Sequence, residues 1–221
     1  MTPVAGKLHE KVAIVVGASG AIGRATAHAL VREGAQIVLA SRNAPALEAL
    51  GEEIKRERGR VVVQATDVRQ EVDVVRLVSR ALDAFGALDI VVLAAHATKL
   101  HEVAAASSEE WREMVEVNAL ASAILAREAV AVMAEGRGGD LVTVAPSLAK
   151  TAGGAFATAT RAFSNAFAEG LREEVRRRGI RVMTVSPSAG VEAGDVADAV
   201  LFAITRSRRL TLEEMILSPT I

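Results

Sequence analysis

The chain has 221 residues, 51% hydrophobic and only 3% aromatic, a length that suits one large core or two small ones. With 26 basic and 27 acidic residues the formal net charge is −1, so no overall field attracts nucleic acid or an anionic membrane. The lack of cysteine excludes disulfides, thiolate metal sites and a cysteine nucleophile, and no metal site is predicted.

Short apolar runs alternate with amphipathic segments along the whole chain. Such alternation is typical of right-handed βαβ units that build a parallel sheet with helices on both faces. We expect a single doubly wound α/β domain over residues 1–221, with a sheet of about seven strands. Strands are predicted over residues 12–16, 36–40, 61–66, 90–94, 141–145, 181–186 and 215–218, and helices over residues 25–33, 43–57, 71–85, 108–134, 157–178 and 195–205.

The first ten residues contain no apolar segment of the kind that secretory signals carry. We also see no apolar run of membrane-spanning length. The sequence therefore predicts a soluble, cytoplasmic protein without nucleic-acid or membrane partners.

The segment Gly17-Ala18-Ser19-Gly20-Ala21-Ile22-Gly23 lies between the first predicted strand and helix. Its first glycine suits a tight turn, the second lets backbone approach a pyrophosphate, and the third allows close helix packing. The amide groups and the dipole at a helix start favour phosphate charge. Strand, glycine turn and helix together predict a dinucleotide site; the alternative is a tight turn that binds no ligand.

With Ile22 between its last two glycines, this Gly-x-x-x-Gly-x-Gly spacing resembles that of the short-chain dehydrogenase/reductase family. The resemblance covers nearly the whole chain, although Val16 stands where the family usually has Thr. It implies a Rossmann-type fold in which Gly17, Ser19, Gly20, Ile22 and Gly23 hold a dinucleotide.

The end of the second strand bears on the choice of cofactor. An acidic residue there would bind the adenosine ribose hydroxyls, whereas small residues with an arginine accept a 2′-phosphate. This chain has Ser41 and Arg42 and no acidic residue between Ala40 and Asn43. The pattern favours NADP over NAD; the alternative is that Arg42 is a solvated surface residue.

Two further strand ends carry candidate cofactor residues. Asp67 is placed to bind an adenine amino group, and the resemblance adds Val68; Asp67 alternatively caps the next helix. Of the family's Asn-Asn-Ala-Gly after the fourth strand only Ala95 is kept, and His96 replaces the glycine. His96 is either a polar group of the site or an ordinary histidine at a strand end. Pro187 keeps the first position of the family's Pro-Gly.

The resemblance also locates the catalytic positions. Asn118 matches the asparagine that holds a water in the family's proton relay. The family's serine pair falls on Ala145 and Pro146, its tyrosine on Ala157 and its lysine on Arg161, and the whole chain contains no tyrosine. In the family the tyrosine transfers the proton, the lysine lowers the tyrosine pKa and the serine polarises the carbonyl. Asn118 and Arg161 are therefore the remaining catalytic candidates, and Arg161 also the candidate for contacting the ribose.

Other polar residues can be considered as replacements in space. Ser147 lies one residue after the expected serine, and His96, Lys150, Thr158 and Thr160 carry possible proton donors. Ser147 and Lys150 also match the Ser-x-x-Lys pair of penicillin-binding enzymes, without its other motifs. Only residues 189–194 separate Pro187-Ser188 from the last predicted helix, so the family's substrate lid is largely missing.

The helix predicted over residues 157–178 carries a broad apolar stripe rich in small residues. One side of it should pack on the sheet and its small-residue edge against a second subunit, as in family members, so a homodimer or homotetramer is expected. The stripe consists of Ala159, Ala162, Phe163, Ala166, Phe167, Gly170 and Leu171.

Three functions remain open from the sequence. The first is an NADP(H)-dependent oxidoreductase that acts on a carbonyl or alcohol with a rearranged site. The second is a catalytically silent dinucleotide-binding or partner-subunit module, which the missing tyrosine favours. The third is a lyase or isomerase on the same scaffold.

Overall fold

The computed structural model describes residues 6–145 and 154–220. Seven strands form one sheet in the order β3-β2-β1-β4-β5-β6-β7, and every neighbouring pair is parallel. This confirms the predicted parallel α/β sheet. The strands are β1 Val12–Val16, β2 Gln36–Ser41, β3 Val61–Ala65, β4 Ile90–Leu93, β5 Gly139–Val144, β6 Ile180–Pro187 and β7 Glu214–Leu217.

The helices cover both faces of the sheet. They are α1 Ala21–Arg32, α2 Ala44–Arg56, α3 Glu71–Phe85, α4 Ser108–Val115, α5 Ala121–Glu135, α6 Ala155–Val175 and α7 Ala193–Ile204. A π-helical turn, Glu116–Leu120, joins α4 to α5 where one uninterrupted helix was predicted. Helix α1 begins four residues earlier than predicted, so Ile22 and Gly23 belong to its first turn.

Two apolar clusters enclose the sheet. In β1, Val12, Ile14 and Val16 face the cluster under α3, α5 and α6, whereas Ala13 and Val15 face the cluster under α1, α2 and α7. Alternate residues of a strand point to opposite faces, so a strand buried on both sides must be apolar throughout.

Helix α6 buries only part of the apolar stripe described in the sequence. Its fully buried positions are Ala157, Thr160, Ser164, Ala168 and Val175. The stripe residues Phe167 and Leu171 pack against the core, but Phe163 is 42% exposed and the small stripe residues face outward. The buried side of α6 is thus partly polar. The Thr160 hydroxyl donates to the Ala157 carbonyl and the Ser164 hydroxyl to the Asn118 carbonyl.

The continuous segment Ser108–Glu135 is long and apolar enough to cross a membrane, which corrects the expectation that no such run exists. Half of its most apolar part is buried inside the protein, where Leu125, Ala129 and Met133 belong to the core. Burial against the sheet accounts for this composition, as expected for the core helix of a protein of this fold.

A buried ion pair joins the starts of β5 and β6 to the connection that follows α7. The Arg181 guanidinium donates to both carboxylate oxygens of Asp140, at 2.7 and 3.0 Å, and to the carbonyls of Ile204 and Leu210, at 2.8 and 3.0 Å. Arg208 donates to the same carboxylate from the surface, at 2.9 Å. We call this set the Arg181 bracket.

Candidate functional site

A cleft of about 610 Å³ opens at the carboxyl ends of β1, β2, β3 and β4. It lies where the strand order reverses between β1 and β4, which is where doubly wound sheets bind ligands. Eight of the predicted cofactor residues line it: Gly17, Ser19, Gly20, Ser41, Arg42, Asp67, Val68 and Ala95.

The glycine turn has the geometry that its spacing predicts. Gly17 has a φ of +82°, and a Cβ there would lie 2.6 Å from the Ala95 nitrogen. A Cβ on Gly23 would lie 2.3 Å from the Gly17 oxygen, whereas one on Gly20 would meet nothing closer than 3.4 Å. The first and third glycines are therefore required by the fold itself, and the second leaves open space.

The start of α1 faces this space. Within the described chain no side chain caps α1, whose N-cap is Gly20, and its first turn holds no acidic residue. The first amides of a helix need an acceptor, and the helix dipole favours a negative one. The turn thus fits the pyrophosphate of a dinucleotide.

The second strand ends in a small polar turn. The hydroxyl of Ser41 accepts from the Asn43 amide at 3.1 Å, and Asn43 in turn caps α2 by accepting from the Ala46 amide at 3.1 Å. Between them Arg42 is exposed and lines the cleft. Asn43 is therefore the N-cap of α2, at the start of the helix predicted over residues 43–57.

Asp67 does not cap α3, whose N-cap is Gln70, so that alternative is wrong. Its carboxylate instead binds the Arg69 guanidinium, with Nη2 2.5 Å from Oδ2 and Nε 2.9 Å from Oδ1. These hydrogen bonds from Arg69 hold the pKa of Asp67 below its usual value. The pairing of Arg69 with Asp67 was not predicted from the sequence. The signal for it was an arginine two residues after the acidic residue that ends the strand.

His96 lines the cleft, and its Nε2 is buried with no hydrogen-bond partner among the residues that the structure describes. Burial lowers the pKa of His96 to about 4, so the imidazole is neutral at physiological pH. Lys99, paired with Glu113 at 3.8 Å, adds a cation to the same part of the cleft. His96 therefore lies just after β4 and lines the cleft, and its role as a polar group of the site stays a prediction.

Asn118 lies in the π-helical turn, outside the lining of the cleft, and its amide is fully engaged. Oδ1 accepts from the Ala97 amide at 2.8 Å, and Nδ2 donates to the Ala97 carbonyl at 2.8 Å and to the Thr160 hydroxyl at 3.1 Å. Its own carbonyl accepts from Ser122 and Ser164, at 2.8 and 3.3 Å. Asn118 thus fixes the segment that follows β4.

Arg161 and Pro187 also lie outside the lining of the cleft. The Arg161 guanidinium is directed to β6 and β7, with Nη2 3.3 Å from the Ser186 hydroxyl and 3.5 Å from the Glu214 carboxylate. Pro187 is the last residue of β6 and pairs with Leu217. The predicted ribose contact of Arg161 stays a prediction.

The position that matches the family tyrosine holds Ala157, which is completely buried. Among the other proposed donors, Thr160 is buried, and its hydroxyl donates to the Ala157 carbonyl at 2.9 Å. Thr158 is exposed on α6. Pro146, Ser147 and Lys150, and with them the Ser-x-x-Lys reading, lie outside the described residues. Residues 188–192 alone connect β6 to α7, so the connection is short as predicted.

Comparisons with known proteins identify the family of this chain. The family model described as short chain dehydrogenase matches residues 11–195. An uncharacterized oxidoreductase of Staphylococcus aureus strain MRSA252 is 30% identical, over 96% of this chain and 98% of that protein.

Solved structures agree. A metagenomic short-chain oxidoreductase in complex with NADP superposes with a TM-score of 0.92 at 29% identity, covering 98% of this chain and 100% of that one. A dehydrogenase/reductase from Sinorhizobium meliloti 1021 gives a TM-score of 0.89 at 25% identity, covering 95% and 94%. The chain belongs to the short-chain dehydrogenase family.

Proposed function

We propose that this protein binds NADP(H) in the cleft and does not carry out the tyrosine-dependent carbonyl reduction of its family. The observation that supports this proposal most is the composition of the cleft. Its lining includes the uncapped start of α1, which can bind a pyrophosphate, and the exposed Arg42, which can bind a 2′-phosphate. The NADP complex of the 29% identical metagenomic oxidoreductase supports the same cofactor.

We assign different parts of the cofactor to different residues. The turn at Gly17 and Gly20 offers main-chain donors to the pyrophosphate, and Arg42 offers a charged fork to the 2′-phosphate. Asp67 and Ala95 both line the cleft, and we assign Asp67 to the adenine amino group. When bound, the cofactor supplies or accepts a hydride; the chain contains no tyrosine to transfer the accompanying proton. Losing a general acid typically costs about two to four orders of magnitude in rate.

The first test is calorimetric titration with NADPH and NADH on the wild type and on Arg42→Ala. Removing a charge-assisted contact to the 2′-phosphate should weaken NADPH about tenfold and leave NADH nearly unchanged. Arg80→Ala, an exposed arginine of α3 outside the cleft, is the matched control. Equal weakening of both dinucleotides by Arg42→Ala, or no NADPH binding by the wild type, would contradict the proposal.

A second candidate is an oxidoreductase with a rearranged site, which the location of His96 in the cleft favours. A panel of aldehydes, ketones and alcohols, followed by NADP(H) absorbance, separates the two functions. The main proposal expects no turnover above the uncatalysed rate. Turnover that His96→Gln abolishes, with NADPH affinity retained, would establish the second function instead.

A further inference from the structure

Arg69 binds the carboxylate of Asp67 through both the side chain and the main chain. Its Nε lies 2.9 Å from Oδ1 and 3.1 Å from Oδ2, its Nη2 lies 2.5 Å from Oδ2, and its amide donates to Oδ1 at 3.1 Å. The two side chains are 32% and 22% exposed, so this pair is only partly screened by water. Both carboxylate oxygens are therefore engaged by one guanidinium.

Asp67 shares the cleft with Arg42. The pKa of Asp67 is lowered first by the hydrogen bonds from Arg69 and, as a smaller cause, by the charge of Arg42. The carboxylate and the Arg42 guanidinium thus lie within each other's field. An uncompensated carboxylate here would attract Arg42 and would repel a phosphate bound beside it.

Lys99 and Glu113 also line the cleft, and the Asp73 carboxylate accepts from the Asp67 amide at 3.1 Å. Arg42, Asp67 and Arg69 by themselves contribute two cations and one anion, a combined charge of +1. Without Arg69 the combined charge of the remaining two would be zero, and Asp67 would compete with the ligand for Arg42.

We propose that Arg69 is a positioning residue that sets the preference for NADP(H) over NAD(H), by holding and neutralising Asp67 so that Arg42 stays available to a 2′-phosphate. This inference rests on the proposed function and deepens it. NAD(H) has no 2′-phosphate, so Arg69 can change the affinity for NAD(H) only through the contact between Asp67 and the adenine.

The test compares NADPH and NADH affinities by calorimetry at low and high salt, for Arg69→Gln, Asp67→Asn, the double variant and Arg69→Lys. Arg69→Gln should lower the NADPH preference about fivefold, the size expected for a partly exposed charge, and less so at high salt. The double variant should regain the preference of Asp67→Asn because no carboxylate is left to compete. Arg69→Lys, which keeps the charge, should keep most of the preference.

Arg80→Gln is the matched control, because Arg80 is exposed on the following helix, α3, and does not line the cleft. It should change neither affinity. An Arg69→Gln variant that weakens both dinucleotides equally, or a double variant that does not regain the preference, would overturn the inference.

Failure of this inference can be told apart from failure of the proposed function. Wild-type protein that binds neither dinucleotide overturns both. NADPH preference that depends on Arg42 but is unaffected by Arg69→Gln overturns only the role of Arg69.

Discussion

Burial of His96 makes the stability of the protein depend on pH. A histidine in the unfolded chain has a pKa near 6.5, whereas burial lowers the pKa of folded His96 to about 4. Between these values the unfolded chain binds more protons than the folded one. The His96 contribution to stability is therefore complete above pH 6.5 and is lost as the pH falls toward 4.

Denaturant unfolding at about pH 7.5 and about pH 4.5 measures this contribution. The wild type should lose about 2 to 3 kcal/mol more stability than His96→Gln over this interval. His101→Gln, which alters a half-exposed histidine paired with Glu110 at 3.0 Å, should follow the wild type. Parallel pH curves for the wild type and His96→Gln would show that the imidazole is protonated in the folded state.

What the sequence could predict at this scale depends on how far apart the partners are. The helix start at Asn43 and the turn at Gly17 depend on neighbours within a few residues, and both were predicted. The direction of Arg161 is set by Ser186 and Glu214, 25 and 53 residues away, and the engagement of Asn118 by Ala97, 21 residues away. Partners so far apart in the sequence leave no local pattern. The sequence could therefore name Arg161 and Asn118 as candidates but could not predict their hydrogen-bond partners.

At the scale of elements the Arg181 bracket holds the connection after α7 to the amino-terminal ends of β5 and β6. Arg181 and Asp140 are 5% and 6% exposed, so removing the arginine leaves a buried carboxylate with only a surface partner. Arg181→Met should cost about 3 to 5 kcal/mol in free energy of unfolding, measured by urea denaturation.

Arg208→Met is the matched comparison, because Arg208 pairs with the same carboxylate but is half exposed. It should cost less than about 1 kcal/mol. The double variant Asp140→Leu/Arg181→Met should be more stable than Arg181→Met alone, because the carboxylate is gone. A double variant as unstable as the single one would mean that the main-chain bonds of Arg181, rather than its charge, secure the connection.

At the scale of the whole molecule, the outer face of α6 exposes small and apolar side chains. Ala162, Phe163, Ala166 and Gly170 are exposed there, and Leu120, the last residue of the π-helical turn, is 52% exposed. Small side chains allow two helices to approach closely across a two-fold axis. The predicted homodimer or homotetramer therefore has a suitable surface on α6.

Ala166→Glu tests that surface, since a carboxylate facing its own copy across a two-fold axis is desolvated and repelled. Light scattering after size-exclusion chromatography should show an oligomer for the wild type and a smaller species for the variant. Ala49→Glu, on the exposed side of α2, should leave the mass unchanged. A monomeric wild type, or an Ala166→Glu variant of unchanged mass, would contradict the prediction.

The two hydrogen bonds between the Asn118 amide and Ala97 have a wider consequence. A side-chain amide that accepts from an N–H and donates to the carbonyl of the same residue imitates one rung of a strand ladder. The wall of the cleft is thereby tied to the π-helical turn between α4 and α5 and, through Thr160, to the buried side of α6.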